Sequence, residues 1–250
     1  MRTFKCAVLF FSAALLHGIG HDVAQAVAAW GVGIPSTLYH FFVLFDVPTT
    51  NGAPMLGARE VVVIYGAPVV FSAIVSLAGA WVYDNVRSAA AALFALYFAA
   101  FGAIGVLSSV LSTPISGGPH NIALVLDVPI ALQIGLSVPA GLMLIIVMWL
   151  IGSRLQPPAG TLVVPFVAAT AARLLVYAPM PWPMAGMLLG GSAVWLVAIA
   201  GSVWEHRRAR RAGRSSAPLP PVNLALSAMV LPVFLILVVR LMTMGVRFGG

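Results

Sequence analysis

AAAALFALYFAAFGAIGVLSSVL, residues 89–111, holds no charged side chain from end to end. About 20 apolar residues in a helix cross the hydrocarbon core of a bilayer, so this stretch has the length and polarity of a membrane span. Six more stretches of similar character accompany it: Phe4–Ala29, Val61–Tyr83, Leu124–Ile151, Leu162–Tyr177, Met184–Trp204 and Val222–Met244. The reading is an all-α polytopic membrane protein of about seven transmembrane helices. Composition agrees. Apolar residues make up 61% of the chain and charged residues 8%, against about 25% charged in a soluble domain. Spans and short connections use most of the 250 residues, which points to a single integral membrane domain over 1–250.

The formal net charge of +7 raises the question of nucleic acid, and its placement answers it. Arg207, Arg208, Arg210, Arg211 and Arg214 form one run beside an apolar stretch, without the aromatic interleaving of a nucleic-acid surface. Such a run is a topology signal facing anionic lipid. The expected partner is the lipid bilayer, not nucleic acid. With the N-terminus inside, the cytoplasmic side holds Arg2, Lys5, Arg87, Arg154 and the arginine run, and the outer side only Arg59 and Arg247. That asymmetry sets the N-terminus in the cytoplasm and the C-terminus outside. The first span begins like a signal peptide, but no A-x-A cleavage site precedes Asp22, so it is expected to be retained. Cys6 is the only cysteine, which excludes an internal disulfide and a thiolate metal cluster.

Between the first two spans, Thr37-Leu38-Tyr39-His40-Phe41-Phe42-Val43-Leu44-Phe45 is rich in β-formers and bounded by Pro35 and Pro48. It is expected to be one strand of a short hairpin. Open strand edges cannot face lipid, so the segment belongs at the interface or against the helices. Thr113–Asn121 is a breaker-rich outer loop, and Ser215–Pro221 is a proline-rich cytoplasmic linker. No internal repeat or inverted symmetry is visible, which leaves a transporter without its usual signature.

Chemistry concentrates in His17-Gly18-Ile19-Gly20-His21-Asp22. Histidines at i and i+4 share a helix face, so both imidazoles can reach one ion; ionisable groups at membrane depth are functional candidates by default. The alternative is a pair of histidines that hydrogen-bond between helices. A catalytic-type zinc site needs a third ligand. Asp127, the acid deepest in a later apolar stretch, is the candidate, with His120 and Asp22 as rivals. Asp127 could instead pair with Arg173 or Arg240. The candidate metal ligands are therefore His17, His21 and Asp127, with Zn as the ion. Haem would need a second mid-span histidine, and His40, His120 and His206 do not supply one. Pro129, Pro139, Pro165 and Pro232 are expected to kink their helices. The methionines are scattered and form no copper cluster.

These residues resemble the site-2 proteases, the intramembrane zinc metalloproteases. The His17-x-x-x-His21 pair stands where that family carries H-E-x-x-H, a β-rich segment follows, and Gly66-Ala67-Pro68 lies in the next span. Asn121 leading to Asp127 is similar to the family's N-x-x-P…D-G element, whose aspartate is the third zinc ligand. The resemblance implies a site-2-protease-like core over residues 1–152, with three additional spans over 153–250. It also implies a degenerate member. Gly18 occupies the position of the glutamate base, and losing a positioned base costs roughly 10²–10⁴ in rate. The expected function is an integral membrane metalloprotein that binds a transmembrane partner helix without cutting it. The alternative is a structural or assembly subunit of a larger respiratory or photosynthetic membrane complex.

Overall fold

The computed structural model describes residues 2–39, 42–50, 53–177, 182–214, 240–241 and 243–249. In chain order the elements are α1 (Arg2–Gly31), β1 (Ser36–Tyr39), β2 (Phe42–Phe45), β3 (Thr49–Thr50), β4 (Ala53–Pro54), α2 (Ala58–Asn85) and α3 (Ala89–Leu111). They continue with α4 (Gly118–Val125), α5 (Ile130–Arg154), a π-helical turn (Ala159–Val163), α6 (Val164–Tyr177), α7 (Trp182–Arg211) and β5 (Val246–Phe248). Among the described residues α1, α2, α3 and α5 are long and apolar enough to cross a membrane. The π turn and α6 cover the expected fifth span, and α7 covers the sixth. The expected seventh, Val222–Met244, lies outside the described residues except at its last few positions, as do the Ser215–Pro221 linker, His40 and Pro232.

Two expectations are corrected. The stretch 37–45 is two strands rather than one: β1 pairs antiparallel with β2, Ser36 opposite Phe45 and Tyr39 opposite Phe42. Folding back pairs backbone groups that a lone strand would leave open. The chain's last strand supplies a third partner, β5, with Ser36 opposite Phe248 and Leu38 opposite Val246, so the order is β2-β1-β5.

The stretch 124–151 is likewise two elements. Pro129 has no amide hydrogen and disfavours helical backbone at Val128. Helix α4 closes with Asp127 N–H donating to Leu124 O and Val128 N–H to Ala123 O, the bonds that terminate a helix around a left-handed residue. That residue is Asp127, at φ 50. It stands in an exposed turn ahead of α5, not within a span.

Contacts gather the chain into two units, each taking parts of the long helices. In the unit built from 1–14, 78–100 and 142–230, Phe10 meets Tyr97 and Trp195 edge-on at 5.1 and 4.8 Å. The buried Tyr97 hydroxyl donates to the Thr161 carbonyl. Helices α5 and α7 touch backbone to backbone: a Cβ on Gly152 would collide with the Ala198 carbonyl, and one on Gly201 would lie 2.7 Å from the Trp149 carbonyl. The Ser202 hydroxyl donates to the Leu155 carbonyl across the same seam.

In the unit built from 15–77, 101–141 and 231–250, Ile19 and Ala26 of α1 pack with Leu38 and Leu241, and Leu15, Val23, Val43, Val246 and Phe248 close around them. The sheet therefore lies along one face of α1. Helices α2 and α3 meet where a Cβ on Gly102 would come within 2.6 Å of the Ser72 carbonyl and 2.5 Å of the Ser76 nitrogen. Small residues permit that approach, and it is the main source of helix affinity where the solvent is itself apolar.

Candidate functional site

The helical repeat sets His17 and His21 one turn apart on α1. Their ring centres are 6.2 Å apart with the planes tilted by 46°. His17 Nε2 and the buried Ser72 hydroxyl of α2 share a hydrogen bond at 3.1 Å, its direction set by the imidazole tautomer. The ring lies 6.0 Å from Phe71 and stacks at 6.3 Å on Phe101 of α3. Gly105 makes room for this arrangement: a Cβ there would sit 2.5 Å from Ser72 Oγ and 3.1 Å from His17 Cε1. His17 thus joins α1, α2 and α3 at one polar point.

His21 is tied differently. Its Nδ1 lies 3.2 Å from Oδ1 of Asp22, whose side chain is 14% exposed. A carboxylate on one ring nitrogen fixes the orientation of an imidazole. Asp22, weighed in the sequence only as a weak ligand, is therefore the partner of His21.

Asp127 is not brought to this point in any metal-holding group: among the described residues no three His, Cys, Asp or Glu side chains are placed to hold one ion. His120, the rival ligand, donates through Nδ1 to the Thr113 carbonyl at 2.8 Å and so braces the connection between α3 and α4. Asn121 hydrogen-bonds the Tyr65 side chain. Arg240 is exposed, and the side chain of Arg173 is outside the described residues.

Two imidazoles on one zinc, with bonds of about 2.0–2.1 Å, place their ring centres roughly 5–6 Å apart. The observed ring centres are slightly farther apart than that, and His17 Nε2 and His21 Nδ1 are engaged by Ser72 and Asp22. A Cβ on Gly18, between the two histidines, would meet no heavy atom within 4 Å. The arrangement can hold two nitrogens toward a cation, exchange protons through His21 and Asp22, or lock helices together. Ser72 and Gly105 escaped the reading of the sequence. The signal for them was the spacing of small residues in neighbouring spans: Ser72 and Ser76 in one, Gly102 and Gly105 in the next. No family model, curated protein or solved structure matches the chain.

Proposed function

We propose that the chain is a seven-span integral membrane protein with a cytoplasmic N-terminus, and that it holds a partner's transmembrane helix without cutting it. The observation that carries the reading is the surface of α5. One stripe of that helix is covered, with Gln133, Ser137, Ala140, Leu144, Met148 and Ile151 buried. Most of the rest is exposed and apolar, from Ile130 to Leu150. Ala131, Gly135 and Pro139, four residues apart, line up on the bare side, all exposed, and a Cβ on Gly135 would meet nothing within 4 Å. Lipid suits the bulky part of that face, and a small-residue track is what lets a second helix approach closely.

Seven spans are supported by the sheet. Because β5 pairs with β1, the tail and the connection after α1 share one side, so an even number of crossings separates them. Helices α2, α3 and α5 give three and α6 and α7 two more; the last is counted from the sequence of Val222–Met244 alone, which lies almost wholly outside the described residues. The cytoplasmic N-terminus rests on the asymmetry of basic residues.

The absence of cleavage rests on Gly18, which stands where the resemblance places the general base and has no side chain to accept a proton. The placement of both imidazoles on one helix face favours a second reading, in which His17 and His21 hold zinc and Asp127 completes the set. The engagement of His17 by Ser72 favours the assembly role.

The test places a photo-crosslinking residue at Leu142, which lies on the Gly135 face and is exposed, and irradiates native membranes. A discrete protein adduct that disappears with Gly135→Leu is expected; adducts with lipid alone would overturn partner binding. Elemental analysis of the purified chain decides the metal: about one zinc per chain supports the metalloprotein form, and none supports assembly.

A further inference from the structure

The arginine run is not strung along a loop. Helix α7 continues through it to Arg211, and Gly213 at φ 69 ends the helix, with Arg214 N–H donating to the Ala209 carbonyl. Arg207, Arg210 and Arg211 therefore stand at i, i+3 and i+4 on one face, and all are exposed. Arg208, off that face, has Glu205 3.9 Å away, and Glu205 is the only acid in α7. Trp204, 61% exposed, lies three residues before Arg207 on the same side. The helical rise puts the three guanidinium-bearing positions roughly 5–10 Å beyond the indole along the axis. That is about the depth of one headgroup layer.

Neighbouring helices repeat the order at the same level. Trp149 of α5 is 6.5 Å from Trp204, and Arg154 follows it. The Arg154 guanidinium lies 5.8 Å from the ring centre of Tyr83, near the end of α2, and exposed Trp81 precedes exposed Arg87 there. The ends of α5 and α7 thus present neighbouring indoles, each followed by arginine, and Arg154 lies against Tyr83 at the end of α2.

We infer that the α7 end, through Arg207, Arg210 and Arg211 above Trp204, is a binding surface for anionic phospholipid headgroups, which it selects over zwitterionic ones. Aromatic rings settle at the headgroup level, and the arginines meet phosphate-bearing headgroups there. This rests on the membrane reading above. Each arginine near an anionic surface contributes roughly fivefold, so three contribute on the order of a hundredfold at low salt. The preference shrinks toward unity near 1 M salt, where the screening length is about 3 Å.

The full chain is placed in bilayer nanodiscs of phosphatidylcholine with a minority of phosphatidylglycerol, one or the other carrying brominated tails that quench tryptophan. Stronger quenching by the brominated anionic lipid is expected, and Trp204→Phe should remove the selective part of the signal. The triple variant Arg207→Gln, Arg210→Gln, Arg211→Gln should lose the preference. The matching Arg→Lys variant should keep it, since charge and not fork geometry does the selecting, and this guards against a fold defect. Equal quenching by both lipids, or an unchanged preference in the glutamine variant, overturns the inference. So does loss of preference when inorganic phosphate is added at constant ionic strength, which would make a soluble anion the occupant. Quenching by neither lipid would instead remove the membrane reading itself.

Discussion

Replacing Asp127 by glycine should make the protein more stable. The residue closes α4 at φ 50, where an L-residue sits at a cost of roughly 1–2 kcal/mol relative to ordinary helical backbone, with Asp among the better-tolerated types. Glycine escapes that cost but loses more freedom on folding, roughly 0.5–1 kcal/mol. The balance favours glycine by about 0.5–1 kcal/mol. Asp127→Ala keeps the strained backbone and removes the local polar help, so it should be less stable than the parent. The assay is thermal unfolding in detergent at one fixed scan rate, because such transitions are commonly irreversible. For a chain of this size 1 kcal/mol corresponds to about 2–4 °C, so glycine should raise the midpoint by about 1–4 °C. The reasoning fails if Asp127→Gly lowers the midpoint by that much or more. A simultaneous loss of bound zinc would favour the metalloprotein reading, with the carboxylate as third ligand.

Other outcomes follow from the same geometry. Ser72→Ala removes the hydrogen bond to His17 and should cost about 0.6–1.7 kcal/mol, the range for interhelical bonds in membranes; a neutral result in the same unfolding assay would mean that His17 is held by its other contacts. Gly18→Ala, with open space around the new Cβ, should be tolerated or stabilising by about 0.5–1 kcal/mol, while Gly102→Ala should destabilise by about 1–3 kcal/mol or more, since its Cβ would meet the backbone of Ser72 and Ser76 at 2.6 and 2.5 Å. Equal midpoints for the two variants would refute the α2–α3 contact. Ser112→Cys should react with an impermeant thiol reagent from the outer face and Arg154→Cys only after permeabilisation; the reverse pattern would invert the orientation.

The long uncharged runs are legible because lipid demands one thing of every residue it touches, and a continuous helix satisfies its own backbone. Thus Ala89–Leu111 was readable to the residue as α3, whereas Thr113–Asn121, read as a loop, is one only as far as Gly117, because α4 already starts at Gly118. The paired histidines were legible for the same reason, because the helical repeat alone puts His17 and His21 on one face. Local signals could also be outvoted: Leu124–Ile151 reads as one span, yet Pro129 and the left-handed Asp127 divide it, a matter of backbone conformation that hydropathy does not register. What each imidazole touches was beyond the sequence. Ser72 lies 55 residues from His17, and they meet where Gly102 of α3 approaches the backbone of α2 and Gly105 leaves room for both side chains. The third strand was equally hidden. Val246–Phe248 is too short to declare itself, and only pairing with Ser36–Leu38, more than two hundred residues away, makes it a strand. Composition and period determined which segments are apolar enough to cross a membrane and where the histidines stand along their helix; tertiary packing alone decided their partners, because contact between helices depends on small residues whose neighbours no local pattern records.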